Sequence, residues 1–439
     1  MISPERHPNR REPSALLLNR RAFTKRLLAT VMAAGLPACS HPADYTDEDI
    51  AQLDRQKREE AERAGRGPYG ALRFQGYRGL AQLPYFKLDG NGHLRVTVHD
   101  LPPVIDFHTH LGVALLFAPA LDLQRRTPRV QYFLDCDRDQ PGCDFDLDVY
   151  INANFTPAAH DELTRDTLNQ LLFGGRAAQT HTIPNLLAEM DAMGVQQAAV
   201  LAIATGLPFG DHLTETWMQA IVQAHAGERL LPFASVHPHD SRWREQLRTF
   251  ARRGARGVKI HPEMQRLFPD DPGAMEIYGE CERLGLPVIF HAGRSGIEPE
   301  FMRQYAVMRR YVAPIETFPR VQFVLGHAGA RDVAAAIPLA QRHANVWLET
   351  AGQSVTQLHE LLVQVGADKV IFGTDWPFYP VAATLAKVLL VTEGQPSVRA
   401  AILRGNAERV FAAAASTRRA ATPTGPLRDG ASEDGASSG

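Results

Sequence analysis

The chain has 439 residues, which is enough for one large domain or two ordinary ones. Its 44% hydrophobic and 22% charged residues are ordinary for a globular protein and exclude a disordered or membrane-embedded chain. A formal net charge of -2 provides no basic surface, so nucleic-acid binding is excluded as a function.

The N-terminal segment resembles a bacterial export signal. Arg20 and Arg21 precede a short apolar run over residues 27–34, which is too short to cross a bilayer as a helix. Paired arginines before such a run are similar to the twin-arginine signal, and Leu36-Pro-Ala-Cys39 resembles the lipobox of lipoproteins. The resemblance implies a signal peptide over residues 1–38, export to the periplasmic side, and a lipid on Cys39 as the protein's membrane contact.

Two short elements are expected before the main domain. Residues 39–84 are expected to form a linker with a charged spacer helix over residues 45–63, because that helix lacks a strong apolar stripe. Residues 85–98 alternate in polarity around Asp89-Gly-Asn-Gly92, a pattern that predicts a β-hairpin. The main domain is therefore expected to begin near residue 85.

From residue 104 onward, short apolar runs alternate with helical segments. Eight parallel strands, each paired with a helix, predict an α/β fold, a closed (β/α)8 TIM barrel over residues 85–411, because an open sheet of that size would leave long edges. The tail over residues 412–439 is rich in Ala, Ser and Gly and is predicted to be disordered. The strands are predicted at residues 104–110, 198–204, 230–236, 257–261, 287–291, 321–327, 346–350 and 370–375.

A long insertion over residues 113–183 follows the first predicted strand. Because it leaves the carboxyl end of that strand, it is predicted to form a lid over the barrel mouth. Cys136 and Cys143 are close in sequence and are predicted to form a disulfide in this lid, in keeping with an oxidising destination. Cys281 is expected to be a free, buried thiol.

Residues that can bind a metal recur where the predicted strands end. Asp106, His108 and His110 share one side of an extended strand, and two neutral imidazoles at this spacing can chelate a divalent metal. The pair alone is a weak signal, because such pairs also occur on solvated strands. The signal becomes specific because similar residues end the later strands and would meet at the carboxyl face of a barrel. These residues are His237, His239, Lys259, His261, His291, His327 and Asp375.

The combination of motifs resembles the amidohydrolase superfamily, in particular the amidohydrolase-related branch that also includes metal-dependent decarboxylases. The resemblance covers residues 104–407. It is carried by Asp106-Phe-His-Thr-His110, Gly257-Val-Lys-Ile-His-Pro262, Phe290-His-Ala-Gly293, Leu325-Gly-His-Ala-Gly329, Phe372-Gly-Thr-Asp-Trp-Pro377 and Gly405-Asn-Ala407.

The resemblance implies particular roles for the residues at the strand ends. His108, His110, His291 and Asp375 would bind one divalent metal, expected to be Zn²⁺ with Mn²⁺ as the alternative. Asp375 would also act as the general base and His327 as a second catalytic residue. For the remaining histidines, His237, His239 and His261, structural hydrogen bonding is expected instead.

The chemistry that these residue types support is hydrolysis. A divalent cation bound by imidazoles lowers the pKa of bound water toward about 7. Asp375 would accept the proton of that water and return it to the leaving group, while His327 would polarise the substrate carbonyl or hold the oxyanion. The expected activity is hydrolysis of an amide, lactone or ester bond in a small-molecule substrate.

Three charged residues leave alternatives open. Lys259 is either carboxylated and bridges two metals, as in binuclear members of the superfamily, or remains an unmodified ammonium; we expect the unmodified form. Arg294 and Arg331 follow site histidines closely, and their planar guanidinium groups suit a substrate carboxylate, although both could instead face solvent.

Two other functions compete with hydrolysis. The same ligands support nonoxidative decarboxylation in the related branch, and release of carbon dioxide without incorporation of water would identify that reaction. A noncatalytic binding lipoprotein would be expected to lack a ligand or Asp375, and the chain lacks none of them. The sequence leaves the oligomeric state open, with a homodimer among the alternatives.

The proposed lipid anchor gives a direct prediction. Replacing Cys39→Ala removes the only thiol that the lipobox resemblance nominates for lipidation, so the variant should move from the membrane fraction to the soluble fraction. Fractionation and intact-mass measurement check this expectation. Unchanged membrane association of the variant, or a wild-type mass that begins at Met1, would contradict it.

Overall fold

A computed structural model describes residues 45–113, 121–133, 144–152, 175–207 and 212–421. The strands in these ranges form one large parallel sheet and two small antiparallel pairs. They are β1 (Arg73–Gln75), β2 (Phe86–Leu88), β3 (Leu94–Val96), β4 (Val104–Thr109), β5 (Asp144–Asp146), β6 (Val195–Leu201), β7 (Leu230–Ala234), β8 (Gly257–Ile260), β9 (Val288–His291), β10 (Phe323–Gly326), β11 (Val346–Glu349) and β12 (Val370–Ile371).

The large sheet closes into a barrel. Its eight strands follow the order β4, β6, β7, β8, β9, β10, β11 and β12, and neighbouring strands are parallel. The first and last strands meet through hydrogen bonds from Phe107 N–H to the Phe372 carbonyl at 2.9 Å and from Asp375 N–H to the His108 carbonyl at 2.7 Å. Each predicted barrel strand overlaps one of these strands, so the predicted TIM barrel is confirmed.

Helices follow the strands around the outside of the barrel. Their ends show ordinary signals: Oγ of Ser354 accepts a hydrogen bond from Gln357 N–H at the start of one helix, and Gly194 ends another at a positive φ of 72°. The α-helices are α1 (Asp47–Arg63), α2 (Ile183–Met193), α3 (Leu213–Gln223), α4 (Trp243–Arg252), α5 (Pro262–Gln265), α6 (Pro272–Leu284), α7 (Glu300–Arg303), α8 (Val312–Thr317), α9 (Val333–Arg342), α10 (Val355–Val365), α11 (Val381–Val391), α12 (Pro396–Ala400) and α13 (Asn406–Ala421).

The core has two parts, as expected when both faces of a parallel sheet are covered. A smaller cluster takes side chains such as Ile105, Phe107 and Ile289 from the strands and is packed against Val410 of α13. A larger cluster takes alternate strand residues, such as Val104, together with the apolar faces of the helices. The hairpin predicted before the barrel is present as β2 and β3, which pair in antiparallel fashion.

Helix α1 is part of the folded domain, so the prediction of a linker over residues 39–84 is wrong from Asp47 onward. The helix belongs to the same compact unit as the barrel, and its Leu53 side chain is fully buried. Ion pairs join Asp49 to Arg309 at 2.8 Å and Glu60 to Arg331 at 2.6 Å. The helix has few apolar residues because charged contacts hold much of it against the barrel.

The described parts of the insertion lie beside the loops that follow the last two strands. Phe133 N–H donates to the Pro377 carbonyl at 3.4 Å, and its ring stacks on Phe378. Asp148 accepts hydrogen bonds from Gly65 N–H at 3.2 Å and Thr356 N–H at 3.0 Å. These contacts place this part of the insertion at the carboxyl end of the barrel, where the lid was predicted.

Several predictions concern the ends of the chain or the centre of the insertion. The predicted tail begins too early at residue 412, because α13 continues to Ala421. Cys281 is buried and free, as predicted. The signal peptide with Cys39, and the pair Cys136 and Cys143, lie outside the described residues. Within the described ranges, the helices are too short or too polar to span a membrane.

The docking of α1 can be tested at Leu53. Replacing Leu53→Ala should lower the free energy of unfolding by about 2–5 kcal/mol, because it leaves a cavity where a fully buried leucine packs. Leu88→Ala is the matched control, since Leu88 is 44% exposed. Equal urea midpoints for the two variants would show that α1 does not depend on this contact.

Candidate metal centre

Asp106 joins the first strand of the barrel to the loop after the last strand. Its Oδ1 accepts hydrogen bonds from the N–H groups of His108 and Thr374, both at 3.0 Å, and its Oδ2 accepts one from the Thr374 hydroxyl at 2.6 Å. The pairing of β4 with β6 shifts register between Asp106 and Thr109. Asp106 therefore does not act as a third ligand beside the two imidazoles, but holds the backbone that carries them.

Both imidazoles of β4 present an unprotonated nitrogen. Nδ1 of His110 lies 2.7 Å from the Leu201 carbonyl oxygen, which can only accept a hydrogen bond, so Nδ1 carries the proton and Nε2 has a lone pair. Nδ1 of His108 lies 2.9 Å from Oε2 of Glu349, which fixes the same tautomer. Burial also lowers the pKa of His108 well below its ordinary value, so its ring is neutral at pH 7.

These two nitrogens meet the carboxylate of Asp375. Nε2 of His110 lies 3.2 Å from Nε2 of His108 and 3.2 Å from Oδ1 of Asp375, and Nε2 of His108 lies 3.4 Å from the same oxygen. Three lone pairs cannot hydrogen-bond to one another. Ligands at about 2.1 Å from a tetrahedral zinc ion lie about 3.4 Å apart. The donor set therefore fits a divalent cation.

The backbone at Asp375 has an unusual conformation. Its φ of 57° lies in the left-handed region, which is uncommon for a residue other than glycine. The hydrogen bond from its N–H to the His108 carbonyl, at 2.7 Å, holds this conformation. Local strain of this kind is found at functional sites, and here it places the carboxylate beside the imidazoles.

Glu349 is a functional residue that the sequence analysis missed. It ends β11 and is fully buried. Its Oε2 lies 2.9 Å from Nδ1 of His108 and accepts a hydrogen bond from His327 N–H at 2.9 Å. Burial raises its pKa, and the hydrogen bonds from the N–H groups of His327 and Ala351 oppose that shift. The available signal was its position at the end of the seventh predicted strand, the same position that identified the histidines.

His327 lies closer to the predicted metal ligands than His291 does. The ligand atoms of His327, His108 and Asp375 all lie within 4.8 Å of one another, whereas His291 belongs to a neighbouring group with His261 and Glu263. Nε2 of His327 lies 3.0 Å from Nδ1 of His291. The structure thus brings together three of the four predicted ligands and places His327, rather than His291, beside them.

Lys259 reaches the same centre. Its Nζ lies 3.1 Å from Nε2 of His108, and its side chain is fully buried. Burial lowers the pKa of the ammonium group to about 8, while the carboxylate of Asp375 opposes this shift. An unmodified amine can therefore lie beside the imidazoles.

The two arginines predicted to bind a substrate carboxylate have other partners. The guanidinium group of Arg294 is 2.6 Å from Oδ1 of Asp332 and also bonds to Gln52 of α1 at 3.1 Å. Arg331 donates to Glu60 of α1 at 2.6 Å and to the Ser295 carbonyl at 2.5 Å. Both arginines hold α1 on the barrel, so the structure does not support the substrate role.

The remaining histidines make hydrogen bonds with backbone groups of the protein. Nε2 of His237 lies 2.9 Å from the Gln265 carbonyl, and its Nδ1 accepts a hydrogen bond from His239 N–H at 3.2 Å. Nδ1 of His261 accepts a hydrogen bond from Met264 N–H at 3.4 Å at the start of α5.

Comparison with known proteins gives one family match. A family model described as amidohydrolase, Amidohydro_2, matches residues 105–413, which is more than half of the chain. This range contains the barrel strands and every member of the metal centre. No match was found among curated proteins.

Solved structures similar to this chain include several barrel proteins. An uncharacterized TIM-barrel protein from Bordetella bronchiseptica is 20% identical, with 69% of this chain and 100% of that chain covered and a TM-score of 0.47. 2,6-Dihydroxybenzoate decarboxylase from Rhizobium is 18% identical, with 70% of this chain and 99% of that chain covered and a TM-score of 0.46. A probable 2-pyrone-4,6-dicarboxylic acid hydrolase from Acinetobacter baumannii is 13% identical, with 71% of this chain and 100% of that chain covered and a TM-score of 0.42.

The donor set predicts that zinc stabilises the folded protein. A ligand that binds only the folded state contributes about 2.7 kcal/mol at a free concentration 100 times its Kd. Replacing His110→Ala removes one donor, so the zinc-dependent rise in thermal midpoint should fall sharply. His93→Ala is the control, because that side chain is 53% exposed. Equal stabilisation of the two variants by zinc would contradict the site.

Proposed function

This chain belongs to the Amidohydro_2 amidohydrolase family, and on that premise we propose that it is a metal-dependent hydrolase acting on an amide, lactone or ester bond of a small molecule. The observation that supports the proposal is the convergence of Nε2 of His108, Nε2 of His110 and Oδ1 of Asp375. Zinc suits two imidazoles and a carboxylate, with manganese as the alternative.

The metal supplies one part of the proposed chemistry. A divalent cation, when held by His108, His110 and Asp375, would supply a water whose pKa is lowered toward about 7. The histidines keep their ligand nitrogens unprotonated through the hydrogen bonds of their Nδ1 atoms to Glu349 and the Leu201 carbonyl. Such partners orient ligands and raise their basicity.

Asp375 and His327 perform the proton chemistry in the proposed reaction. The Asp375 carboxylate accepts a proton from the attacking water and delivers it to the leaving nitrogen or oxygen. His327 would lie beside the substrate carbonyl, and its Nε2 accepts a hydrogen bond from Nδ1 of His291 at 3.0 Å. The backbone N–H of His327 donates a hydrogen bond to Oε2 of Glu349 at 2.9 Å, which helps to hold the residue in place.

Decarboxylation is the competing reaction, because it can use the same ligands. Arg294 and Arg331 were expected to suit a carboxylate on the substrate. Both guanidinium groups instead bind carboxylates of the protein, Asp332 and Glu60. The proposed substrate therefore need not carry a carboxylate that these two arginines bind.

We also propose that the enzyme is exported and acts on the periplasmic side, anchored through lipid on Cys39. The support is the order of paired arginines, apolar run and lipobox-like sequence at the N-terminus.

The proposed reaction can be tested at Asp375. Asp375→Asn removes the proton acceptor and one of the three proposed zinc donors, so turnover should fall by about 100- to 10,000-fold. The assay is a panel of small esters, lactones, amides and aromatic carboxylates in ¹⁸O-labelled water. Asp368→Asn is the control, since Asp368 is 81% exposed, and it should retain full activity.

Mass spectrometry of the products separates the two reactions. Hydrolysis places one ¹⁸O atom in the acid product, whereas decarboxylation releases carbon dioxide and leaves no ¹⁸O in the remaining product. Metal-dependent carbon dioxide release from an aromatic carboxylate, with no turnover of esters, lactones or amides, would replace the proposed function with decarboxylation.

A further inference from the structure

A second group of metal-binding side chains lies beside the proposed centre. His261 directly follows β8, Glu263 lies in the first turn of α5, and His291 ends β9. One ligand atom from each of these residues lies within 4.8 Å of the other two. The three side chains therefore meet at the carboxyl ends of two neighbouring strands.

The carboxylate of Glu263 is the unusual member of this group. The side chain is 1% exposed, and neither of its oxygens accepts a hydrogen bond from the described part of the protein. Burying a carboxylate without a partner is strongly unfavourable, and buried polar atoms are almost always paired. A cation bound to the Glu263 carboxylate would compensate for the hydrogen bonds that its oxygens lack.

The distances around Glu263 fit a cation better than hydrogen bonds. Its Oε2 lies 3.4 Å from Nδ1 of His261 and 3.5 Å from Nε2 of His291. Hydrogen bonds between such atoms are about 2.7–3.2 Å long. Two ligands of a tetrahedral zinc ion are about 3.4 Å apart, which is close to both observed separations.

Both imidazoles can present a lone pair to the same point. Nδ1 of His261 accepts a hydrogen bond from Met264 N–H at 3.4 Å, so it carries no proton, and cation binding would replace this hydrogen bond. Nδ1 of His327 lies 3.3 Å from the Ala351 carbonyl and must be the protonated nitrogen of that ring, so its Nε2 accepts from Nδ1 of His291. His291 then has its lone pair on Nε2, the atom that faces Glu263.

We propose that His261, Glu263 and His291 form a second binding site for a divalent cation, for which zinc is the best match. Two imidazoles and a glutamate are a known set of zinc ligands. The rings of His261 and His291 are stacked, with centroids 4.2 Å apart, so binding requires them to turn about their Cβ–Cγ bonds. The proposal gives the chain two cations instead of the one predicted from the sequence, and it rests on the cluster's geometry rather than on the proposed reaction.

The test is the zinc stoichiometry of matched variants. The purified full chain and each variant are stripped of metal, dialysed against zinc, and analysed for zinc per chain. Wild type should bind two zinc ions and Glu263→Gln one, because the amide lacks the negative charge. Glu316→Gln is the matched control at an exposed position and should bind two.

Further variants keep the outcome decisive. His110→Ala should bind one zinc ion, and its combination with Glu263→Gln should bind none. Circular dichroism checks folding, and His261→Asn replaces Glu263→Gln if that variant does not fold. One zinc per wild-type chain that survives Glu263→Gln, or two zinc ions in Glu263→Gln, would overturn the proposal. Two zinc ions retained in His110→Ala, with one in Glu263→Gln, would instead contradict the first site alone.

Discussion

The structure depends on the close approach of three electron-pair donors at the mouth of the barrel. Nε2 of His108, Nε2 of His110 and Oδ1 of Asp375 lie 3.2–3.4 Å apart, a distance at which bare donors repel one another. The surrounding protein holds them there through Glu349 and the Leu201 carbonyl. Because these hydrogen bonds hold the unprotonated nitrogens beside the carboxylate, the arrangement is suited to binding a cation.

Helix α1 and the insertion, which contact residues just beyond the strand ends, come from distant parts of the chain. Helix α1 is fastened by Arg294 and Arg331, which stand just beyond the site histidines. The insertion contacts the loop after β12 through Phe133.

Much of the fold could be predicted because apolar runs and the polar residues that end them repeat with a regular spacing. The same repetition identified His108, His110 and Asp375, since strand ends meet in a barrel whatever the details of packing. Glu349 also ends a strand, but this position alone does not distinguish a buried glutamate of the site from a glutamate on the surface. Its role depends on two hydrogen bonds made after folding.

Other features could not be predicted because they depend on partners far away in the sequence. Arg294 pairs with Asp332 and with α1, 242 residues away at Gln52, and no local pattern reports that contact. The charged character of α1 suggested a solvated spacer, because the cations that pair with it lie on the barrel. The orientation of His291 toward Glu263 likewise follows from contacts with side chains on neighbouring strands.

The most direct test of this account is an anomalous difference map, recorded at the zinc absorption edge, from crystals of the full chain grown with zinc. The account predicts a peak about 2.0–2.2 Å from Nε2 of His108, Nε2 of His110 and Oδ1 of Asp375. Crystals that contain zinc in the surrounding solution but show no peak at these three atoms would contradict it.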